Sequence, residues 1–206
     1  AIQYIHSIGY IHRDIKPSNI LIDKDGYLKI TDFGFAKDKM NDFSSKTSTI
    51  CGTPYYIAPE MVLGKPYGRS VDWWSFGIIV YEMIFNDIPF NSNNLDGLYK
   101  AIIKDELHFP SKFPIEGQSR IGSYKSRAEI PFVLVDFLNK ILQKSPQQRL
   151  GSFDESEILC HPFFDGIDWN AILNKTLSVE WKPKITDDFS SVDGHIAKGK
   201  ALISVG

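Results

Sequence analysis

The sequence predicts an α+β protein that is mostly helical, with one short β-hairpin. Three observations carry that prediction. The stretch from Val71 to Phe85 is apolar on nearly every face, the mark of a buried central helix. Leu95 to Ile103 and Phe132 to Leu142 show the spacing of amphipathic helices. Two short apolar runs, Ile20-Leu21-Ile22 and Tyr27-Leu28-Lys29-Ile30, flank Asp25-Gly26, a strong hairpin turn signal.

Taken in order, Ile2, Ile5 and Ile8 read as the last turns of an amphipathic helix with Gly9 as its C-cap. No capping residue precedes them, so this helix is expected to start before Ala1. Tyr10 to Asn19 is a polar loop between apolar flanks, and Thr31-Asp32-Phe33-Gly34 directly follows the second strand of the hairpin. Lys37 to Thr49 is polar without an apolar period and predicts a mobile loop. Ser70 or Asp72 is placed to cap the central helix. Pro110 to Pro131 predicts a surface loop, and Glu155 to Leu159 one more short helix. After Phe164 the apolar pattern weakens, and Trp181-Lys182-Pro183-Lys184 opens a tail with few packing residues.

Composition narrows the function classes. The chain has 206 residues, 43% hydrophobic and 23% charged, as in ordinary globular proteins. Its net charge of −2 lacks the basic excess that non-specific binding of nucleic acid or anionic membrane requires. Cys51 and Cys160 are too few for a disulfide framework, and no CxxC pair suggests structural zinc. Val71 to Phe85 is too short to span a membrane and carries Asp72 and Glu82. The expected location is the cytoplasm, with the nucleus as an alternative.

One constellation carries chemistry. Asp14, Lys16 and Asn19 share the polar loop, and the hairpin returns the chain to Asp32. Mg²⁺ takes hard oxygen ligands of the kind Asn and Asp supply, with phosphates completing the shell. Lys is a compact point charge suited to a transferring phosphoryl group, and a further carboxylate can orient a hydroxyl nucleophile and accept its proton.

His12-Arg13-Asp14-Ile15-Lys16-Pro17-Ser18-Asn19, then Asp32-Phe33-Gly34, then Ala58-Pro59-Glu60 resemble the catalytic-loop, metal-binding and activation-segment signatures of the eukaryotic protein kinases. Lys16 two places after Asp14 is the serine/threonine pattern. Asp32 to Lys37, Thr49 to Pro54 and Val71 to Gly77 resemble the AGC group, with the cyclic-nucleotide-dependent kinases nearest in pattern. The resemblance implies a kinase-like large lobe over residues 1–164 and an AGC-like C-terminal extension over 165–206, without the small lobe. It implies ATP and Mg²⁺ or Mn²⁺ as cofactors, and protein substrates with Ser or Thr acceptors.

Roles follow residue by residue. Asp14 would be the catalytic base, and Lys16 would contact the γ-phosphate. Asn19 and Asp32 would hold the metal ions, and Thr53 would hydrogen-bond Asp14 and Lys16. Thr49 would be the activating phosphosite, with Arg13 and Lys37 as its phosphate ligands. Ile50, Pro54 and Ile57 would form an apolar pocket for the residue after the phosphoacceptor, and Glu82 would read a basic substrate residue. Glu60 and Arg149 would form a buried ion pair, with Asp72 structural. A regulatory subunit or domain is a further implied partner.

Several positions depart from the pattern. Ser18 and Tyr55 replace acidic residues that would bind a substrate arginine, so a basic preference is weakened. Asp38 to Ser48 is longer than in the near relatives, Gln118 to Glu129 looks like an insertion, and the AGC hydrophobic motif is missing from the end of the chain. No glycine-rich loop or strand lysine lies in these residues, so the chain alone is expected to be inactive. The rival reading is a non-catalytic docking module derived from such a lobe. Plainer readings hold elsewhere: His12 braces its loop, Cys51 is an inert thiol, Cys160-His161 is a packed helix end, and Trp73 and Trp74 are core.

Overall fold

A computed structural model describes residues 1–110, 130–179 and 181–183. They fall into two compact units, one of the described residues within 1–16 and 33–166, the other of those within 17–32 and 167–183. In the first unit the helices are α1 (Ile2–Ser7), α2 (Pro59–Val62), α3 (Ser70–Phe85), α4 (Leu95–Lys104), α5 (Phe132–Ile141) and α6 (Ser156–Leu159). The second holds strands β1 (Ile20–Ile22) and β2 (Leu28–Ile30) and helix α7 (Trp169–Leu173). Among the described residues the fold is mostly helical with one two-stranded antiparallel sheet, as the sequence predicts. The insertion at Gln118 to Glu129, Lys184 and the chain end lie outside the described residues.

Helix α3 is the core of the first unit because it is apolar all round. Val71, Trp73, Trp74, Ile78, Ile79, Val80, Tyr81 and Phe85 are all buried. Burying each such side chain contributes roughly 1.5–3 kcal/mol. Trp74 stacks on Phe90 with ring centroids 5.7 Å apart. Gly77 lets α5 come close: a Cβ there would sit 2.8 Å from Ile141 Cγ2 and Leu142 Cδ2. The helix ends at Asn86, whose left-handed backbone (φ 53°) returns its N–H to the Glu82 carbonyl.

Two expectations need correcting. Neither Ser70 nor Asp72 caps α3: the N-cap is Arg69, without a side-chain cap bond. Asp72 instead accepts hydrogen bonds from a distant loop, for a reason given below. The stretch from Lys37 to Thr49 is irregular, and side chains and backbone of other segments contact it at several points. Lys37 bridges Ile11, and Thr47 bridges Tyr67. Arg69 donates Nε and Nη2 to the Met40 carbonyl at 3.0 and 2.6 Å, and its guanidinium lies 5.3 Å from the Phe43 ring centroid. Its polar composition conceals these anchors because they sit on other segments.

In the second unit β1 and β2 pair in the register Ile20↔Ile30, Leu21↔Lys29, Ile22↔Leu28. Asp23 shapes the turn by accepting the N–H groups of Asp25 and Tyr27 at 3.0 and 2.9 Å. A two-stranded hairpin this short is marginal alone. The stretch after α7 supports it: Lys175 Nζ donates to Asp23 at 2.9 Å, and the Tyr27 hydroxyl to the Leu177 carbonyl at 2.9 Å. Gly26 (φ 91°) is required there, since a Cβ would meet Val179 Cγ1 at 2.6 Å and the Trp181 carbonyl at 2.7 Å. The Lys175 hydrogen bond, aided by the two turn N–H groups, holds the Asp23 carboxyl well below the usual carboxylate range.

Candidate active site

Arg13 has φ 69°, a left-handed conformation that a non-glycine residue adopts at a cost of about 1–3 kcal/mol. The cost is met by neighbours that fix the loop. Asp72 accepts the backbone N–H groups of His12 and Arg13, each at 2.8 Å. Buried His12 accepts the Asp14 N–H through Nδ1 at 3.3 Å, and its ring meets Phe33 edge-on at 5.0 Å. The brace expected of His12 is therefore visible.

This constraint aims Asp14 at two other site residues. Asp14 is only 3% exposed. Its Oδ2 lies 2.8 Å from Lys16 Nζ, and its Oδ1 accepts the Thr53 hydroxyl at 2.7 Å. Lys16 Nζ also donates to Thr53 Oγ1 at 2.7 Å, which closes a triangle. Thr53 reaches this position because Gly52 (φ 99°) lets the two segments approach closely. A Cβ on Gly52 would stand 2.6 Å from the Arg13 carbonyl.

Asn19 and Asp32 lie in the second unit, at the open end of the hairpin. The Asn19 carbonyl accepts the Thr31 N–H at 2.8 Å and the Thr31 hydroxyl at 3.2 Å, which ties the backbone at Asn19 to that just before Asp32. Asp32 adopts φ 61°, a second strained residue at a predicted site position. Their hard-oxygen side chains suit Mg²⁺ or Mn²⁺, with phosphate and water left to complete the shell. Among the described residues, no group of three or more His, Cys, Asp and Glu side chains gathers as a metal site would.

The segment carrying Thr49 is held by Tyr67, which no motif or spacing singles out. Buried Tyr67 donates its hydroxyl to the Thr49 carbonyl and accepts from Arg13 Nη1 at 3.1 Å. Arg13 Nε donates to the Phe35 carbonyl at 2.6 Å, and Lys37 lies 3.9 Å from Asp38. Thr49 itself is exposed. The residues expected to line one apolar pocket are placed differently: Ile50 is exposed, Pro54 half-buried and Ile57 buried. Glu82 accepts the Tyr56 hydroxyl at 2.7 Å, and burial followed by this carboxylate pushes the Tyr56 phenol up.

Two buried charge clusters frame the site. Arg149 forms a two-pronged pair with Glu60 (2.6 and 2.9 Å) and also donates to the carbonyls of Ser70 and Gln143. His6 places Nε2 2.8 Å from Asp72 Oδ2 and Nδ1 against Glu155 Oε1. Burial alone would depress the His6 imidazole, but the hydrogen bonds and charges of Asp72 and Glu155 outweigh it and bring it to about 9. Burial would likewise raise Asp72, yet His6 and the two loop N–H groups keep it below its ordinary value. Of the plainer readings, Trp73 and Trp74 are core and Cys51 is half-buried. His161 is buried, whereas Cys160 is exposed and no part of a packed end.

The model of the protein kinase domain matches residues 1–164. A protein kinase C-like protein of Neurospora crassa is 40% identical over 199 residues, covering 95% of this chain and 16% of that protein. Protein kinase C delta type of Homo sapiens is 37% identical over 206 residues, covering 99% of this chain and 28% of that protein. RAC-beta serine/threonine-protein kinase of Rattus norvegicus is 36% identical over 190 residues, covering 91% and 36% respectively. The chain thus spans well under half the length of these relatives. With the family model over the helical unit and the hairpin, and relatives of this kind along nearly its whole length, the chain belongs to the protein kinase family, in its AGC-type serine/threonine branch.

Proposed function

We propose that this lobe serves an enzyme that transfers the γ-phosphoryl group of ATP to Ser or Thr hydroxyls of protein substrates. The observation that supports this best is the closed triangle of Asp14, Lys16 and Thr53. Asp14 orients the acceptor hydroxyl and takes its proton as the oxygen attacks phosphorus, while the bond to the β-phosphate oxygen breaks and ADP leaves. Lys16 neutralises charge building on the transferring group. Thr53 holds the carboxylate and the ammonium at a fixed separation, so neither must reorganise during the step. Asn19 and Asp32 would hold Mg²⁺ or Mn²⁺, which would neutralise phosphate charge when bound. Phosphate on Thr49 would recruit Arg13 and Lys37, at the expense of their present contacts. Glu82 favours a basic residue in the substrate, and the site of action is the cytoplasm.

Catalysis of this kind rests on positioning and charge stabilisation from both sides of the phosphates. A glycine-rich loop and a strand lysine are not among these residues, so we expect no phosphotransfer by the chain alone. The test follows radiolabel from ATP into Ser/Thr peptides, using the chain alone and the chain joined to an AGC-type small lobe. The joined protein should transfer phosphate and lose at least about a hundredfold on Asp14→Asn. Transfer that survives that change would overturn the role of Asp14. Turnover by the isolated chain that disappears on Asp14→Ala would overturn the need for the other lobe.

A further inference from the structure

Two carboxylates from segments far apart in sequence meet one buried imidazole. His6 lies on α1, Asp72 in the first turn of α3, and Glu155 just before α6. All three are buried. Glu155 is 149 residues from His6 in sequence. Each ring nitrogen of His6 faces a carboxylate oxygen. A neutral imidazole carries one proton and one lone pair. It would therefore aim a lone pair at a carboxylate inside the core, an arrangement that low local polarity makes costly. With both carboxyls ionised, only the doubly protonated ring satisfies both contacts.

The far end of this chain of contacts is the catalytic loop. The Asp72 oxygen that meets His6 also accepts the His12 N–H, and its other oxygen accepts the N–H of strained Arg13. The Glu155 oxygen that meets His6 also accepts the Trp73 indole N–H at 3.3 Å, and the Trp73 ring stands edge-on to His6 at 5.7 Å. The Arg13 side chain is engaged elsewhere, with Phe35 and Tyr67. The charged groups shown in contact with the imidazole are thus Asp72 and Glu155.

We propose that Glu155 is a positioning residue: by supplying the second carboxylate it keeps His6 a buried cation through the neutral pH range, which holds Asp72 ionised and aimed at the backbone that presents Asp14. Asp72 alone could be served by a neutral imidazole donating through Nε2. The second carboxylate disfavours that option and moves the loss of the contact to higher pH. The catalytic meaning of the loop rests on the function proposed above, but the ionisation of His6 and its reach to the loop do not.

The test is NMR on the ¹⁵N-labelled chain, with the ring nitrogens of His6 and the amides of His12 and Arg13 followed across pH. At about pH 7.5 both His6 nitrogens should carry protons, although a free histidine would be mostly neutral. As pH rises, deprotonation should move both amides with the same midpoint as the ring. Glu155→Gln keeps an oxygen acceptor and removes the charge. It should lower the His6 midpoint by at least about one pH unit and carry the amide midpoints down with it. Trp73→Phe, which deletes the indole N–H together with part of the bicyclic ring, should leave the midpoint almost in place. A neutral wild-type His6 at about pH 7.5 would overturn the proposal, as would amides that stay still while the ring titrates. The wild-type titration decides the matter even if a variant fails to fold. None of these signals depends on phosphotransfer, so a failure of the proposed function would be seen separately, in the labelling assay.

Discussion

Arg149→Ala should be among the most damaging single changes in the first unit. Arg149 is 2% exposed and Glu60 3%. The substitution removes both prongs of their pair and the donors to the Ser70 and Gln143 carbonyls. It also removes a guanidinium lying 5.1 Å from the Trp74 ring centroid. A buried carboxylate stripped of its partner costs about 3–5 kcal/mol, and each unmet carbonyl adds about 1 kcal/mol where water cannot reach. These terms overlap, so the expected loss is about 4–5 kcal/mol, or roughly 10 °C in melting temperature for a unit of this size. Urea unfolding followed by tryptophan fluorescence measures it. Glu60→Met combined with Arg149→Met should recover most of the loss, because apolar residues of similar volume leave no charge unpaired. A loss under about 1 kcal/mol for Arg149→Ala, or a double variant as unstable as the single one, would refute the reasoning.

Two further outcomes test other features. Gly52→Ala should cost about 2 kcal/mol or more, since it forces a side chain into φ 99° and against the Arg13 carbonyl; thermal melting reads the cost, and transfer in the joined enzyme reads displacement of Thr53. His6 should make stability fall at high pH. Its imidazole is raised from 6.5 to about 9 in the folded state, so its contribution is complete below about pH 6.5 and disappears as pH passes about 9, on the order of 3 kcal/mol in all. Lys144, which burial lowers to about 8, acts in the opposite direction over the upper part of that range. Urea midpoints should therefore be compared between the wild-type chain and His6→Gln at each pH.

The sequence made the large elements legible because their signals are local. Helix α3 announces itself by being apolar all round, and the hairpin by Asp25-Gly26 between β-rich runs. The triangle of Asp14, Lys16 and Thr53 was legible only through the family resemblance, since Thr53 lies 39 residues from Asp14. Asp72 looked like a helix cap, as a carboxylate in a first turn often does. Loop N–H groups about 60 residues away take that carboxylate instead. Nothing periodic joins His6 to Glu155, or Tyr67 to Thr49. Such pairs arise where separate elements pack, and no spacing records them. The Lys37 to Thr49 stretch hides its contacts for the same reason: its composition is that of a solvated loop, and its anchors, Arg69 and Tyr67, belong to the approach to α3.

The seat that Gly26 provides for the stretch after α7 has a consequence for the order of events during synthesis. Tyr27 meets Leu177 across 150 residues of chain, and Lys175 meets Asp23 across 152. At roughly 5–20 residues per second, a ribosome needs on the order of ten to thirty seconds to deliver the second half of this contact after the first. During that interval the hairpin must wait with its turn unfilled and with Leu21 and Leu28 on a pair of three-residue strands. The contacts that support the hairpin are thus completed late, by a long-range closure.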